Sequence, residues 1–310
     1  MRLVFLGSPE FAVPSLEGLA AHYQVVGVVT QPDRPAGRGR RLRPPAVRVA
    51  AHRLALPVIQ PGRLSDPEAL AALRAWAPDV IVVVAFGQLL RPAILDLPRW
   101  GCLNVHASLL PRWRGAGPIQ ACILAGDTDS GVTVMRMDPG LDTGPILSQR
   151  SVPLAADETG GSLSARLADL GAALLLETLP GYISGSIRPT SQDDSRATHA
   201  PLLHKTDGHL LPIEPAEPLA RKVRAFDPWP GTFIEWSGGR LGLLAAHAET
   251  SGPTATPGQL LSAGGRPAVA TVDGLLVLDR VQPVGRRPMT GEAFLRGSHG
   301  FLGASLTPPA

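Results

Sequence analysis

The run Val80-Ile-Val-Val-Val-Ala85 restricts the folding of this chain more than any other stretch. Its β-branched residues show no polar alternation, so both faces of the segment must be buried. That is the mark of a central strand in a parallel sheet. The rest of the first half agrees. Leu3–Leu6 is an apolar run ending in Gly-Ser-Pro, and Val25–Thr30 and Cys102–His106 read as further strands. Phe11–Ala21 carries apolar residues at helical spacing. Strands alternating with helices predict a mostly parallel, Rossmann-like α/β sheet covered on both sides. Gly131–Asp138 and Pro145–Val152 predict two more strands, joined by a loop containing glycine. Thr159 then offers an N-cap to a helix in which Leu163, Leu167, Leu170 and Leu174 recur, ending near Pro180-Gly181.

The pattern then changes. From about Ser184 to Ala200 the chain is polar and irregular, which predicts a linker over 186–204 between a first domain, 1–185, and a second, 205–310. Short β-type runs follow at Thr232–Trp236, Leu241–Ala245, Ala268–Val272 and Leu275–Leu278, separated by Gly and Pro. They favour a small β-barrel or sandwich. A chain of 310 residues with 44% hydrophobic and 18% charged residues suits two domains with real cores. No apolar run reaches the roughly 20 residues needed to span a bilayer. The N-terminal apolar stretch lacks a small-residue cleavage site, so the expected address is the cytosol. Cys102 and Cys122 form no CxxC pair and read as reduced core residues.

The turn after the first strand, Gly7-Ser8-Pro9-Glu10-Phe11-Ala12, invites a dinucleotide reading. It lacks the G-x-G-x-x-G that lets a backbone approach a pyrophosphate, which argues against NAD. Chemistry concentrates instead in Gly101–Gly115. Asn104 and His106 are two apart on a strand and project from one face near its C-terminal end, where open α/β sheets bind ligands. An amide and an imidazole aimed at one point can stabilise an oxyanion. Met137-Asp138-Pro-Gly-Leu-Asp142-Thr-Gly144 adds a loop with two carboxylates. A carboxylate beside an imidazole can fix its tautomer, and it can also take a proton from an attacking amine. The spacing lacks the further oxygen ligands of a calcium loop, and no metal is expected.

Net charge is only +3, but its distribution is uneven. Between Gln31 and Arg53 stand Arg34, Arg38, Arg40, Arg41, Arg43, Arg48 and Arg53 against a single acid, Asp33. Such a patch attracts a polyanion. The region after Ala200 holds ten basic and nine acidic residues and is nearly neutral.

Asn104-x-His106-x-Ser108-Leu-Leu-Pro111 paired with Asp138-x-Gly140-x-Asp142-Thr-Gly144 resembles the formyltransferase family that uses 10-formyltetrahydrofolate. The stretches Thr30–Arg41, Pro111–Gln120 and Arg224–Pro230 narrow the resemblance to the branch whose acceptor is the α-amine of methionine on initiator tRNA. The resemblance covers nearly the whole chain. It implies a Rossmann-like formyltransferase domain followed by an OB-like β-barrel that holds the acceptor arm. It makes Asn104, His106 and Asp142 the catalytic residues. It places Ser108, Leu109, Leu110 and Pro111 against the folate, with Val83, Val84, Ala85, Phe86, Gly87, Asp138 and Gly140 lining the same pocket. It assigns Arg34, Arg38, Arg40, Arg41 and Arg43 to tRNA, with Arg38 as the central contact. It implies 10-formyltetrahydrofolate as formyl donor and co-substrate, initiator methionyl-tRNA as partner, no membrane partner, and a monomer. Sibling activities share the same chemistry: formyl transfer to a small amine, or hydrolysis of formyl-folate. A nucleic-acid-binding module on an inactive α/β scaffold is the alternative outside the enzymes.

Overall fold

Val80–Val84 is the middle strand of a seven-stranded sheet, and all five of its residues are buried. In this computed structural model, which describes residues 1–36, 41–250 and 255–306, the strands are Arg2–Gly7 (β1), Gln24–Val29 (β2), Val58–Ile59 (β3), Val80–Val84 (β4), Cys102–His106 (β5), Asp129–Arg136 (β6) and Ile146–Pro153 (β7). Their order is β7-β6-β5-β4-β1-β2-β3. The pairs among β1 to β5 are parallel, and β6 runs antiparallel to both β5 and β7. The chain moves outward from β1 to β2 and β3, then returns to the other side of β1 as β4. That reversal opens a crevice at the C-terminal ends of β1 and β4, the usual ligand position in such sheets. β4 stops where the backbone turns left-handed at Ala85 (φ 46°) and Gly87 (φ 79°).

This sheet belongs to one of two compact units, formed by Met1–Pro118, Asp129–Pro153 and Ser164–Ala200. Its helices include Val13–His22, Ala46–Arg53 and Pro67–Trp76. The helix expected to stop near Pro180-Gly181 runs Gly160–Ser184. Pro180 is tolerated within it, with its ring on the solvent side. The last turn is held by Tyr182, whose hydroxyl donates to the Trp100 carbonyl at 3.0 Å. Gly185, at φ 80°, provides the left-handed stop, and Ile187 N–H donates to the Gly181 carbonyl at 2.9 Å.

The polar stretch read as a connector is not free. Residues up to Ala200 are folded into the first unit. Thr190 bridges Ile146, and His199–Ala200 pairs in parallel with Arg114–Gly115. Sequence patterning misses such a segment because its order comes from single hydrogen bonds to loops, not from an apolar stripe.

The other unit comprises Ile119–Thr128, Leu154–Leu163 and Pro201–Ala310. Two short segments from before residue 200 therefore pack with the second half of the chain. Arg221 Nε donates to the Leu124 carbonyl at 3.1 Å, and Gly161 N–H to the Asp227 carbonyl at 2.8 Å. The main sheet has strands Thr232–Trp236, Gly239–Glu249, Leu275–Pro283, Arg266–Ala270 and Leu260–Ala263 in spatial order, with each neighbouring pair antiparallel. The last described residues join its two edges: Leu306 bridges Trp236 on the first strand, and Ser305 bridges Gln259 beside the last. The sheet thus closes on itself around Leu243, Leu260, Leu278, Phe294 and Phe301, as the expected barrel requires.

Candidate active site

Asn104 and His106 alternate with Leu103 and Val105 on β5, so their side chains leave the same face of the sheet. Both are buried, at 8% and 6% exposure. A buried polar side chain needs partners, and here they come from two loops. His106 Nε2 lies 2.9 Å from the Trp113 carbonyl. A carbonyl only accepts, so Nε2 carries the proton and Nδ1 is the ring nitrogen left to face the site. Nδ1 points at Asp142 Oδ2 across 3.7 Å, and Asn104 Nδ2 lies 3.5 Å from Asp142 Oδ1. These separations are at the outer limit of hydrogen bonding, so the three groups face one another without being locked together. Asp142 is fixed instead by the Gly115 N–H, which donates to Oδ2 at 2.9 Å. The amide, imidazole and carboxylate singled out in the sequence are therefore brought to one point.

Two strained backbones shape this point. Asp142 has φ 54° and Trp113 has φ 61°, both in the left-handed region that non-glycine residues rarely occupy. Gly115 (φ 115°) admits no side chain, because a Cβ there would stand 2.4 Å from the Ala200 carbonyl oxygen. Asp138 does not reach the trio. Its Oδ1 accepts from Gly140 N–H at 3.0 Å and from Thr143 Oγ1 at 2.7 Å, so it caps its own loop.

The Ser108–Pro111 turn is held from within. Thr133 Oγ1 donates to the Ser108 carbonyl at 2.6 Å and accepts from Leu110 N–H at 3.1 Å. Gln149 Nε2 donates to the Leu110 carbonyl at 2.8 Å. Ser108 Oγ donates to the Arg112 carbonyl at 2.6 Å. Leu109 and Pro111 stay half-buried, while Ser108 and Leu110 are buried.

Beside the loop carrying Asp142 lies a cleft of about 380 Å³ lined by Leu64, Gln88, Leu89, Leu90, Ile94 and Pro139, with Arg63 and Arg91 also on its wall. Of the residues expected to line a pocket here, Ala85 and Gly87 are exposed at the end of β4. Val83, Val84 and Phe86 are buried in the hydrophobic layer. Much of the lining comes from the next stretch, Gln88 to Pro92. The thiol of Cys102, two residues before Asn104, is pushed up to about 12 by burial. Cys122 is also buried and forms no disulfide.

The arginine segment is a hairpin. Arg34–Ala36 pairs antiparallel with Arg41–Arg43, which sets Arg34 opposite Arg43, both exposed. Arg38 and Arg40 lie outside the described residues. The base of the hairpin is anchored to the crevice. Asp33 accepts from Arg48 at 2.6 and 2.5 Å and from Gln60 at 2.8 Å. Gln31 receives Arg34 on Oε1 at 3.2 Å and donates from Nε2 to the Phe86 carbonyl at 3.1 Å. Arg48 and Arg53 are paired with Asp33 and Glu17. Of the expected tRNA set, Arg34 and Arg43 are exposed on the stem.

Sequence reasoning did not find the Trp113 carbonyl, the Gly115 N–H or the side chain of Gln192. The first two are backbone groups with no signature of residue type. Gln192 stands in the stretch read as a connector. Its amide donates to the Asp142 carbonyl at 2.8 Å and the Gly144 carbonyl at 2.7 Å.

Comparison with known proteins gives a consistent result. The family described as "Formyl transferase" matches residues 1–179, and "Formyl transferase, C-terminal domain" matches 203–299. The methionyl-tRNA formyltransferase of Chloroflexus aggregans is 50% identical over 302 residues, covering 96% of this chain and 98% of its own. That of Halorhodospira halophila is 51% identical over 298 residues, covering 96% of each chain. Among solved structures, the sugar 3N-formyl transferase WlaRD, determined with dTDP and 5-N-formyl-THF, superposes with a TM-score of 0.66 at 16% identity, covering 93% of this chain and 99% of that one. HypX from Aquifex aeolicus in complex with tetrahydrofolic acid gives a TM-score of 0.61 at 18% identity, covering 96% of this chain and 47% of that one. At these identities the two structures share the fold alone.

Proposed function

The chain belongs to the formyl transferase family in both its domains, and from that premise we propose that it transfers the formyl group of 10-formyltetrahydrofolate to the α-amine of methionine on initiator methionyl-tRNA, the modification that marks the tRNA for translation initiation. What supports the reading at the level of atoms is the convergence of Asn104, His106 and Asp142 beside a cleft. The cleft has apolar walls from Leu64, Leu89, Leu90 and Ile94 and polar groups from Gln88, Arg63 and Arg91. That mixture suits a flat, largely apolar ring system with polar edges, such as a pterin. Residues Ser108 to Pro111, with Ala85, Gly87 and the loop of Asp138 and Gly140, complete the folate side of the site.

The acceptor is an α-amine with a reference pKa near 7.7–8.0, so part of it is neutral at working pH. Its lone pair attacks the formyl carbon, and a new C–N bond forms as the carbonyl electrons move to oxygen. Asn104 Nδ2–H donates to that oxygen; because the Nε2–H of His106 is committed to the Trp113 carbonyl, His106 donates from Nδ1 only in its doubly protonated form. Removing one donor of this type typically costs about 3–4 kcal/mol of transition-state stabilisation. Asp142, held by the Gly115 N–H, takes the proton that the amine must lose. As the C=O re-forms, the old C–N bond breaks and its electron pair goes to the folate nitrogen, which leaves with the proton that Asp142 took from the amine. Acid–base help of this kind contributes about 10²–10⁴-fold.

The arginine hairpin projects from the same crevice, since its base is tied to the turn after β4. In this reading Arg34, Arg38, Arg40, Arg41 and Arg43 contact the phosphates of the acceptor end. The division of labour is chemistry in 1–185 and tRNA holding in 205–310, and the enzyme works as a cytosolic monomer. Among the described residues no helix is long and apolar enough to cross a membrane. The deciding experiment supplies 10-formyltetrahydrofolate with methionyl-tRNA and scores formyl on the aminoacyl ester. Preferred transfer to an amino sugar nucleotide, or formate release without any amine, would replace this reading with a sibling activity. Light scattering at working concentration checks the monomer.

A further inference from the structure

We infer that Gln192 is a positioning residue for the formyl-transfer site and that the segment Thr190–Ala200 is the strap that holds the catalytic loops in register. The inference rests on the catalytic reading of Asn104, His106 and Asp142. It concerns residues outside that trio, in the stretch that sequence patterning reads as a connector.

The geometry is specific. Gln192 Nε2 donates to the carbonyls of Asp142 and Gly144, at 2.8 and 2.7 Å. Its Oε1 accepts from Arg114 Nε and Nη2, at 3.0 and 2.8 Å. An amide has two donor hydrogens and one acceptor oxygen, and here each is used. The orientation is fixed by chemistry, because a flipped amide would set NH₂ against a guanidinium and oxygen against two carbonyls. Arg114 is buried at 5% exposure and is completed by Asp194 Oδ1 at 2.7 Å from Nη2. One amide therefore joins the loop that carries Asp142 to the loop that carries the Trp113 carbonyl and the Gly115 N–H.

The rest of the strap acts on the second of these loops. Thr198 Oγ1 accepts from Trp113 N–H at 2.9 Å, and the Thr198 carbonyl accepts from Arg114 N–H at 2.9 Å. The Ala200 carbonyl accepts from Ala116 N–H at 3.0 Å. Thr190 and Ile146 exchange both backbone hydrogen bonds at 2.8 Å, just beyond Gly144. Asp142 and Trp113 are both left-handed, a conformation that persists only when surrounding contacts over-determine it. The strap supplies those contacts. Asp142 lies 3.5–3.7 Å from Asn104 and His106 and is not bonded tightly to either. Its place is set from behind, by its own carbonyl on Gln192 and its carboxylate on Gly115.

The test uses Gln192→Ala and Gln192→Glu in the full chain. The Glu variant is isosteric and keeps an acceptor for Arg114, but it cannot donate to two carbonyls. We expect kcat to fall about 10²-fold in both, as a misplacement near 1 Å can produce. KM for formyl-folate and for tRNA should stay within about twofold of the parent, because the Gln192 amide is fully used by the Asp142 and Gly144 carbonyls and by Arg114. Combined with Asp142→Ala, Gln192→Ala should add little further loss, because both act through one group. Three results would overturn the strap: turnover within about twofold of the parent in both Gln192 variants, an additive double mutant, or a loss confined to KM. If Asp142→Ala itself retains turnover, the catalytic reading fails and the strap fails with it. A dead Asp142→Ala beside active Gln192 variants sinks the strap alone. A Gln192→Ala chain that does not fold leaves the decision to Gln192→Glu, whose melting temperature is measured alongside.

Discussion

At the scale of single residues, the site combines loosely set polar side chains with tightly set backbone. His106 donates one proton to a carbonyl and shows its other nitrogen to Asp142. We expect His106→Ala and Asp142→Ala each to lose about 10²–10⁴-fold in kcat, with unchanged circular dichroism. Near-parental turnover in either would remove the assignment. Gly115→Ala places a methyl group 2.4 Å from the Ala200 oxygen, at a φ of 115°. It should lower stability by about 1–3 kcal/mol and move the N–H that holds Asp142. Denaturant titration and kcat, measured on the same sample, check both parts. Cys102 should resist alkylation in the native protein even near pH 8.5, because burial pushes its thiol up to about 12. Rapid labelling of a thiol that maps to Cys102 would contradict its burial.

At the scale of elements, the arginine hairpin shows how charge and anchoring divide. Arg34 faces Arg43 across the stem, and like charges directly opposite each other oppose pairing. The hairpin is therefore held mainly at its foot, where hydrogen bonds from Gln60 and then from Arg48 keep the Asp33 carboxyl below its ordinary value. A carboxyl depressed in the folded state contributes its stabilisation above its unfolded value and loses it as pH falls through the folded one. We expect Asp33→Asn to raise KM for tRNA at neutral pH and to remove part of the acid-side loss of stability below about pH 4. Unchanged KM and an unchanged acid limb would mean that the foot does not anchor the loop. Sequence patterning found strands such as Val80–Val84 and Cys102–His106 because their order comes from long runs of buried side chains. It missed the hairpin, and it stopped the helix through Pro180 too early. Those features depend on a handful of polar contacts such as Asp33 with Arg48 and Tyr182 with Trp100. The convergence of Asn104, His106 and Asp142 was legible in part: strand alternation sets the first two on one face, and the third came from the family resemblance. The Gln88–Pro92 lining and the strap were not, since nothing in their composition distinguishes them from surface loop.

At the scale of the molecule, the tRNA terms should separate from the folate terms. Neutralising Arg38, Arg40 and Arg41 should raise KM for tRNA and flatten its dependence on salt, while KM for formyl-folate stays constant. A salt slope equal to the parent's would return these arginines to ordinary solvated surface. The region after Ala200 carries nearly balanced charge, so in the proposed reading its hold on tRNA depends on where its arginines sit rather than on their sum.

The strap's place in the chain has one more consequence, for a polypeptide emerging from a ribosome. All three side chains of the proposed catalytic trio have been made by the time Asp142 is added, yet the tie that holds their loops arrives only with Gln192, Thr198 and Ala200. Until then the nascent chain has the residues of an enzyme without their alignment. In the proposed reading, alignment of these loops waits some 60 codons for the strap, and the bridges at Ser305 and Leu306 are translated a further hundred or so later.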